Sequence, residues 1–147
     1  MSLASVITYA HSMVGTHYQY GGNNPLEGID CSGLVTELMK AAGELDHGVD
    51  LTAQQLFDHF SKVAGTDSMD KHVPGALAFY GENLSNISHV AFMITPYQII
   101  EAGGGDRGTT DKEKAAKKNA FVRMRLLRYR KDFLVTVKPG YHRIGML

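Results

Sequence analysis

A chain of 147 residues with 44% apolar and 20% charged side chains has the make-up of one ordinary folded domain, which excludes a disordered or fibrous protein. Its 15 Lys and Arg balance 15 Asp and Glu, so there is no overall field to draw it onto nucleic acid or anionic lipid. Cys31 is the single cysteine, which rules out an internal disulfide and any zinc site needing two or more thiolates.

Taken in chain order, Leu3, Val6, Ile7, Ala10 and Met13/Val14 follow a 3.6-residue period and predict an amphipathic helix that stops near Gly15. From Gly15 to Asp30 the period is lost, and Gly21-Gly22, Asn23-Asn24-Pro25 and Gly28 predict one ordered loop. The period returns at Cys31 with Leu34, Val35, Leu38, Met39 and Ala42, and Gly43 stands where a C-terminal cap belongs. Thr52-Ala53-Gln54-Gln55 reads as a capping box opening a short third helix through Leu56, Phe57 and Phe60.

After Pro74-Gly75 the pattern turns to strands, at Ala76–Tyr80, His89–Ile94 and Gln98–Ala102, in an order that suggests a meander. Gly103-Gly104-Gly105 breaks the last of these. Thr110–Lys118 predicts a small exposed helix, Phe121–Arg130 a partly alternating strand with one wet face, and Phe133–Val137 a last strand. Helices first and strands afterwards predict an α+β fold with an antiparallel sheet, in a single domain over residues 1–147.

The chemistry centres on Asp30-Cys31-Ser32-Gly33. Thiolate is the reactive form of cysteine, and the unpaired N–H groups of a helix N-terminus carry partial positive charge that favours it. Asp30 can cap the helix, and Gly33 removes a side chain where a substrate backbone or a facing strand must come close. Such a nucleophile needs a base, and histidine is the usual one. Of seven histidines, His89 stands out because it opens a strand-like run, and strand ends are rigid places that present side chains at an edge. His11, His17, His47, His59, His72 and His142 sit in helical or loop contexts and read as surface residues.

Tyr18-Gln19-Tyr20-Gly21-Gly22 followed by Gly28-Ile29-Asp30-Cys31-Ser32-Gly33-Leu34-Val35 closely resembles the nucleophile signature of the NlpC/p-sixty family of bacterial cell-wall cysteine peptidases. Pro74–Tyr80 and Ser88-His89-Val90-Ala91 resemble that family's strand before the catalytic histidine and the histidine strand itself. The resemblance implies a papain-like fold, with N-terminal helices packed on an antiparallel sheet. It also implies a third polar residue one strand after the histidine, which counting places at Glu101, where the family more often has His, Asn or Gln. A carboxylate there can accept the imidazole N–H. Tyr18 matches the family tyrosine beside the nucleophile, which shares the oxyanion with the Cys31 backbone N–H. Asp30 and Ser32 match positions lining the substrate cleft.

The activity implied is hydrolysis of an amide in a peptidoglycan stem peptide, D-γ-glutamyl to diamino acid first, through a Cys31-His89-Glu101 triad and a thioester, with no cofactor and no metal. The expected state is a monomer that binds peptidoglycan peptide, without nucleic acid and without membrane insertion. No secretory signal is visible at Met1–Ser5, so phage-, toxin- or holin-type delivery to the wall, or excision from a longer protein, is expected, with a cytoplasmic location otherwise. Two other readings stand beside this one. The fold could survive as a non-catalytic wall-binding or phage structural module, or Arg123, Arg125, Arg128, Arg130 and Lys131 could form a basic face for an anionic partner. Against the last, charged edge strands are a common guard against aggregation.

Overall fold

Ser2 opens the first helix by accepting the Ser5 amide on its hydroxyl, and α1 (Leu3–Ser12) turns Val6 and Ala10 into the core. The structure, a computed structural model, describes residues 1–64 and 69–141; His142 lies outside them. The segment between α1 and Cys31 is ordered, as expected, and contains a small antiparallel ribbon, β1 (Asn23–Asn24) on β2 (Gly28–Ile29).

Helix α2 (Cys31–Ala41) begins at the cysteine, capped by Asp30. Its buried Leu34, Val35, Leu38 and Met39 form the stripe read from the sequence, each worth about 1.5–3 kcal/mol of burial. Gly43, with φ of +79°, ends the helix as expected: its N–H and that of Glu44 satisfy the Lys40 and Met39 carbonyls in a Schellman arrangement. Both bonds of the predicted capping box form, Gln55 N–H to Thr52 Oγ1 and Thr52 N–H to Gln55 Oε1. The helix they open, α3 (Ala53–Ala64), has 12 residues and is the longest described rather than a short one.

The sheet follows: β3 (Leu77–Asn83), β4 (Asn86–Met93), β5 (Gln98–Gly103), then α4 (Lys112–Lys118), β6 (Phe121–Leu126) and β7 (Phe133–Val137). Strand order is β6-β5-β4-β3-β7 with antiparallel neighbours throughout, so the meander expected from β3 to β6 is present and β7 returns beside β3. The chain is therefore α+β, with α2 and α3 packed on the central strand β4. Alternation gives the sheet two covered faces: Phe79, Val90, Phe92 and Ile100 join the helical core, while Ala78, Tyr80, Ala91, Met93 and Ile99 form a second cluster with Leu127. Among the described residues no helix is long and apolar enough to cross a membrane.

Gly33 is where α2 meets the ribbon. A Cβ there would drive into the Gly22 carbonyl oxygen and sit 3.1 Å from the Asn23 Cα, so the facing strand, not substrate, requires the glycine. Gly33→Ala is expected to lower unfolding free energy by about 1–3 kcal/mol, read from urea denaturation, because the obstructing atom is backbone and cannot move aside alone.

Candidate active site

Cys31 is half-buried at the first position of α2, and Asp30 holds it there. The Asp30 carboxylate accepts hydrogen bonds from Gly33 N–H at 2.7 Å, Gly21 N–H at 2.9 Å and Ser32 Oγ at 3.2 Å, tying the ribbon loop to the helix start. Burial pushes the Asp30 carboxyl up from its ordinary range, against the lowering effect of these donors.

His89 lies inside β4, opposite Tyr80 on β3, and is 6% exposed. It does not open a strand, as its place in the apolar run implied. The strand begins at Asn86 because the β3–β4 pairing continues across register shifts near Gly81, extending the hairpin beyond the apolar run. The strand-end position on which His89 was singled out therefore does not hold, and its burial beside Glu101 is what marks it instead. Among the others, His11, His47 and His59 are exposed, as expected; His17 and His72 are half-buried. His17 forms a bridge to Phe121, and His72 packs edge-on against Phe133.

Glu101 on β5 is buried, with 0% exposure, and its Oε1 lies 2.6 Å from His89 Nε2. Backbone pairing between β4 and β5 covers Met93–Ile99 and Phe92–Ile100, and these two side chains meet just past its end. With Nε2 engaged by the carboxylate, Nδ1 is the nitrogen left to face Cys31. Burial alone would push the His89 imidazole down. The neighbouring Cys31, followed by Glu101, outweighs it and raises the imidazole to about 9. Burial likewise pushes the Glu101 carboxyl up, and His89, Tyr129 and Arg123 together hold it below its ordinary range.

A cleft of about 670 Å³ opens over the cysteine, formed by four stretches of chain: the loop and helix start bearing Tyr18, Asp30, Cys31 and Ser32, the entry to α3 at Asp50, β4 at Asn86 to Ser88, and the loop at Asp106 and Arg107. Tyr18 is buried with its ring against Gly105, where a Cβ would overlap the aromatic carbons. Burial, then the neighbouring Cys31 and Asp30, push its phenol up, so at neutral pH the hydroxyl keeps its proton and can donate.

Two contributors were not read from the sequence. Tyr129 Oη lies 2.7 and 2.8 Å from the two Glu101 oxygens, and Arg123 Nε lies 3.7 Å from Oε2. Arg123, one of the five cations of the alternative basic-face reading, is thus turned onto the site. The remainder of that face is also largely engaged within the chain: Arg130 makes a bidentate pair with Asp132, and Arg125 and Arg128 stack over Tyr129 and Phe133. A sequence signal for the crowding around Arg123, though not for Tyr129, is the Gly103-Gly104-Gly105 run. A Cβ on Gly103 would meet the Glu101 carboxylate, one on Gly104 would meet Arg123, and one on Gly105 would meet Tyr18, so three successive positions are kept empty for three site side chains.

No curated protein matches the chain. Among solved structures it is similar to the NlpC/p60 domain of the peptidoglycan hydrolase SagA, with a TM-score of 0.61, 21% identity, and coverage of 94% of this chain and 99% of that one. It is similar to the peptidoglycan hydrolase RipB from Mycobacterium tuberculosis, with a TM-score of 0.62, 23% identity, and coverage of 92% and 63%. It is also similar to RipD from the same organism, a non-catalytic NlpC/p60 domain protein adapted to peptidoglycan binding, with a TM-score of 0.59, 17% identity, and coverage of 94% and 98%. Of several other solved relatives the chain spans less than half, 40% for two of them. At these identities the likeness speaks for the fold alone, and it is shared by hydrolases and a non-catalytic protein. Residues 15–126 match the NlpC/P60 family, and the chain belongs to that family.

Proposed function

We propose that this chain is a cysteine hydrolase that cuts an amide bond in peptidoglycan stem peptides, with the D-γ-glutamyl bond to a diamino acid as the first candidate. The observation that carries the reading is a buried imidazole whose Nε2 lies 2.6 Å from the buried Glu101 carboxylate and whose pKa Cys31, at the start of α2, helps to raise. A non-catalytic chain has no chemical need for a buried, charge-flanked histidine beside a cysteine at a helix start. The cleft supports the substrate class: its volume suits a short peptide, and Asp50 and Arg107 give it both signs of charge, as a peptide bearing amines and carboxylates requires.

In this reaction the Cys31 thiolate attacks the amide carbonyl carbon. The oxyanion rests on the Cys31 backbone N–H and the Tyr18 hydroxyl. The C–N bond breaks as the His89 imidazolium passes its proton to the leaving amine, and a thioester remains. Neutral His89 then takes a proton from water, the hydroxide oxygen adds to the thioester, and the C–S bond breaks. A carboxylic acid product leaves and the thiolate–imidazolium pair is restored. Glu101 keeps Nε2–H bonded throughout, and Asp30 and Ser32 shape the helix start from which the sulfur projects.

The test is mass spectrometry of purified muropeptides after incubation with the protein and with Cys31→Ala. Cleavage by the parent alone is expected, and the fragment masses identify the bond. Equal cleavage by Cys31→Ala would sink the proposal.

A further inference from the structure

The geometry points to Tyr129 and Arg123 as positioning residues, which hold the Glu101 carboxylate ionised and in one orientation so that it can anchor His89. This rests on the Cys31–His89 reading above and extends it to a second layer of the site.

The reason begins with burial. A fully buried carboxylate has lost its water, and one hydrogen bond to an imidazole does not replace what several waters supplied. Glu101 is compensated from three sides. His89 meets it from β4, Tyr129 spans both of its oxygens from the turn after β6, and Arg123 adds a positive charge from β6. At 3.7 Å the Arg123 Nε acts by charge, since it makes no hydrogen bond there, while the same guanidinium donates to the Asn119 carbonyl at 3.0 Å. Two further groups lie in the field of the Glu101 carboxylate: Tyr80 on β3, whose phenol it helps to push up, and Arg130, whose charge is taken up by Asp132. Neither reaches the carboxylate directly.

Tyr129 is also built into place. Its turn is fixed by Leu127, whose N–H donates to the Tyr97 carbonyl and whose own carbonyl accepts the buried Tyr80 hydroxyl at 2.6 Å. The Arg125 guanidinium covers its ring at 5.2 Å. Burial and the adjacent Glu101 charge push its phenol up, so the hydroxyl remains a donor across the working pH range. An edge-strand arginine and a partly exposed tyrosine that served only solubility would not converge on one buried carboxylate.

The experiment follows the rate of Cys31 alkylation by iodoacetamide against pH, which needs no knowledge of substrate. Below the acid limb Glu101 takes up a proton and no longer stabilises the imidazolium, so losing a donor to Glu101 raises that limb. Tyr129→Phe keeps the ring and its cation contact, and is expected to move the acid limb up by about one pH unit, the size of one lost hydrogen bond to a charged group, with the neutral-pH rate little changed. Arg123→Lys should retain most of the parent profile and Arg123→Met should move it in the same direction as Tyr129→Phe. In a Glu101→Gln background, Tyr129→Phe should move nothing further. An unmoved limb in folded Tyr129→Phe, or an equal movement with and without the Glu101 carboxylate, overturns the assignment. Should Tyr129→Phe fail to fold, carboxyl-carbon NMR of the parent and of Arg123→Met decides: a Glu101 titration that moves up in Arg123→Met supports the assignment, and one that does not move overturns it. Failure of the hydrolase proposal itself would show elsewhere, as muropeptide cleavage that survives Cys31→Ala.

Discussion

Cys31→Ser is expected to lower kcat/KM on muropeptides at least about a thousandfold, while the denaturant midpoint stays close to that of the parent. Serine differs by one atom at a half-buried position, so packing and the Asp30 cap survive. What is lost is the nucleophile, since an alkoxide is not formed by an imidazole of this kind as a thiolate is. His89→Ala should cost a comparable factor, because the leaving amine then departs unprotonated. The two losses should not add: a nucleophile and its base act as one unit, so the double variant is expected to be about as slow as either single one. A double variant slower by the product of both factors would mean that the residues act independently, and would break the pairing on which the mechanism depends. His89→Ala also leaves Glu101 to Tyr129 and Arg123 alone, so unlike Cys31→Ser it should unfold at lower denaturant.

How much of this was legible in the sequence follows from the range of each interaction. The helix bearing Cys31 was readable because its determinants lie within a few residues: Asp30 as cap, the apolar stripe, Gly43 in the left-handed region. Glu101 was reached through the family resemblance, which implies a polar residue one strand after the histidine, and strand alternation only allowed it to face the same side as His89. What alternation could not give is that the carboxylate is completely buried. Tyr129 and Arg123 escaped for a different reason. Their contact with Glu101 depends on the β5–β6 register, which pairs Glu101 with Arg123, and on a turn that folds Tyr129 back over the sheet. Charge counting saw five cations in nine residues and read a surface; pairing shows one of them directed at the site. The start of β4 was missed because Asn86-Ile87-Ser88 carries no apolar run, and only the partner strand across the irregular hairpin makes it a strand.

The pH response of the His89–Glu101 pair should appear in both stability and rate. His89 titrates at about 9 in the folded chain against an ordinary 6.5, so its contribution to stability is whole below about 6.5 and is lost as pH rises through 9. Glu101 is held below its ordinary 4.5, so its contribution is present above 4.5 and is lost as pH falls through the folded value. The difference in unfolding free energy between the parent and Glu101→Gln should therefore be largest and flat between pH 4.5 and 6.5, at about 1.5–3 kcal/mol, and shrink on either side. Glu101→Ala, which leaves any His89 charge buried without its partner, should cost more, about 3–5 kcal/mol. In rate, the alkaline limb of kcat/KM should stand near 9 in the parent and lie lower in Glu101→Gln, because an amide accepts the Nε2–H without the charge that favours imidazolium. Each pH unit above the new limb then costs about tenfold in the protonated fraction. An alkaline limb at the same pH in parent and Glu101→Gln would show that the carboxylate does not govern the proton on His89, and the imidazole would have to owe its basicity to Cys31 alone.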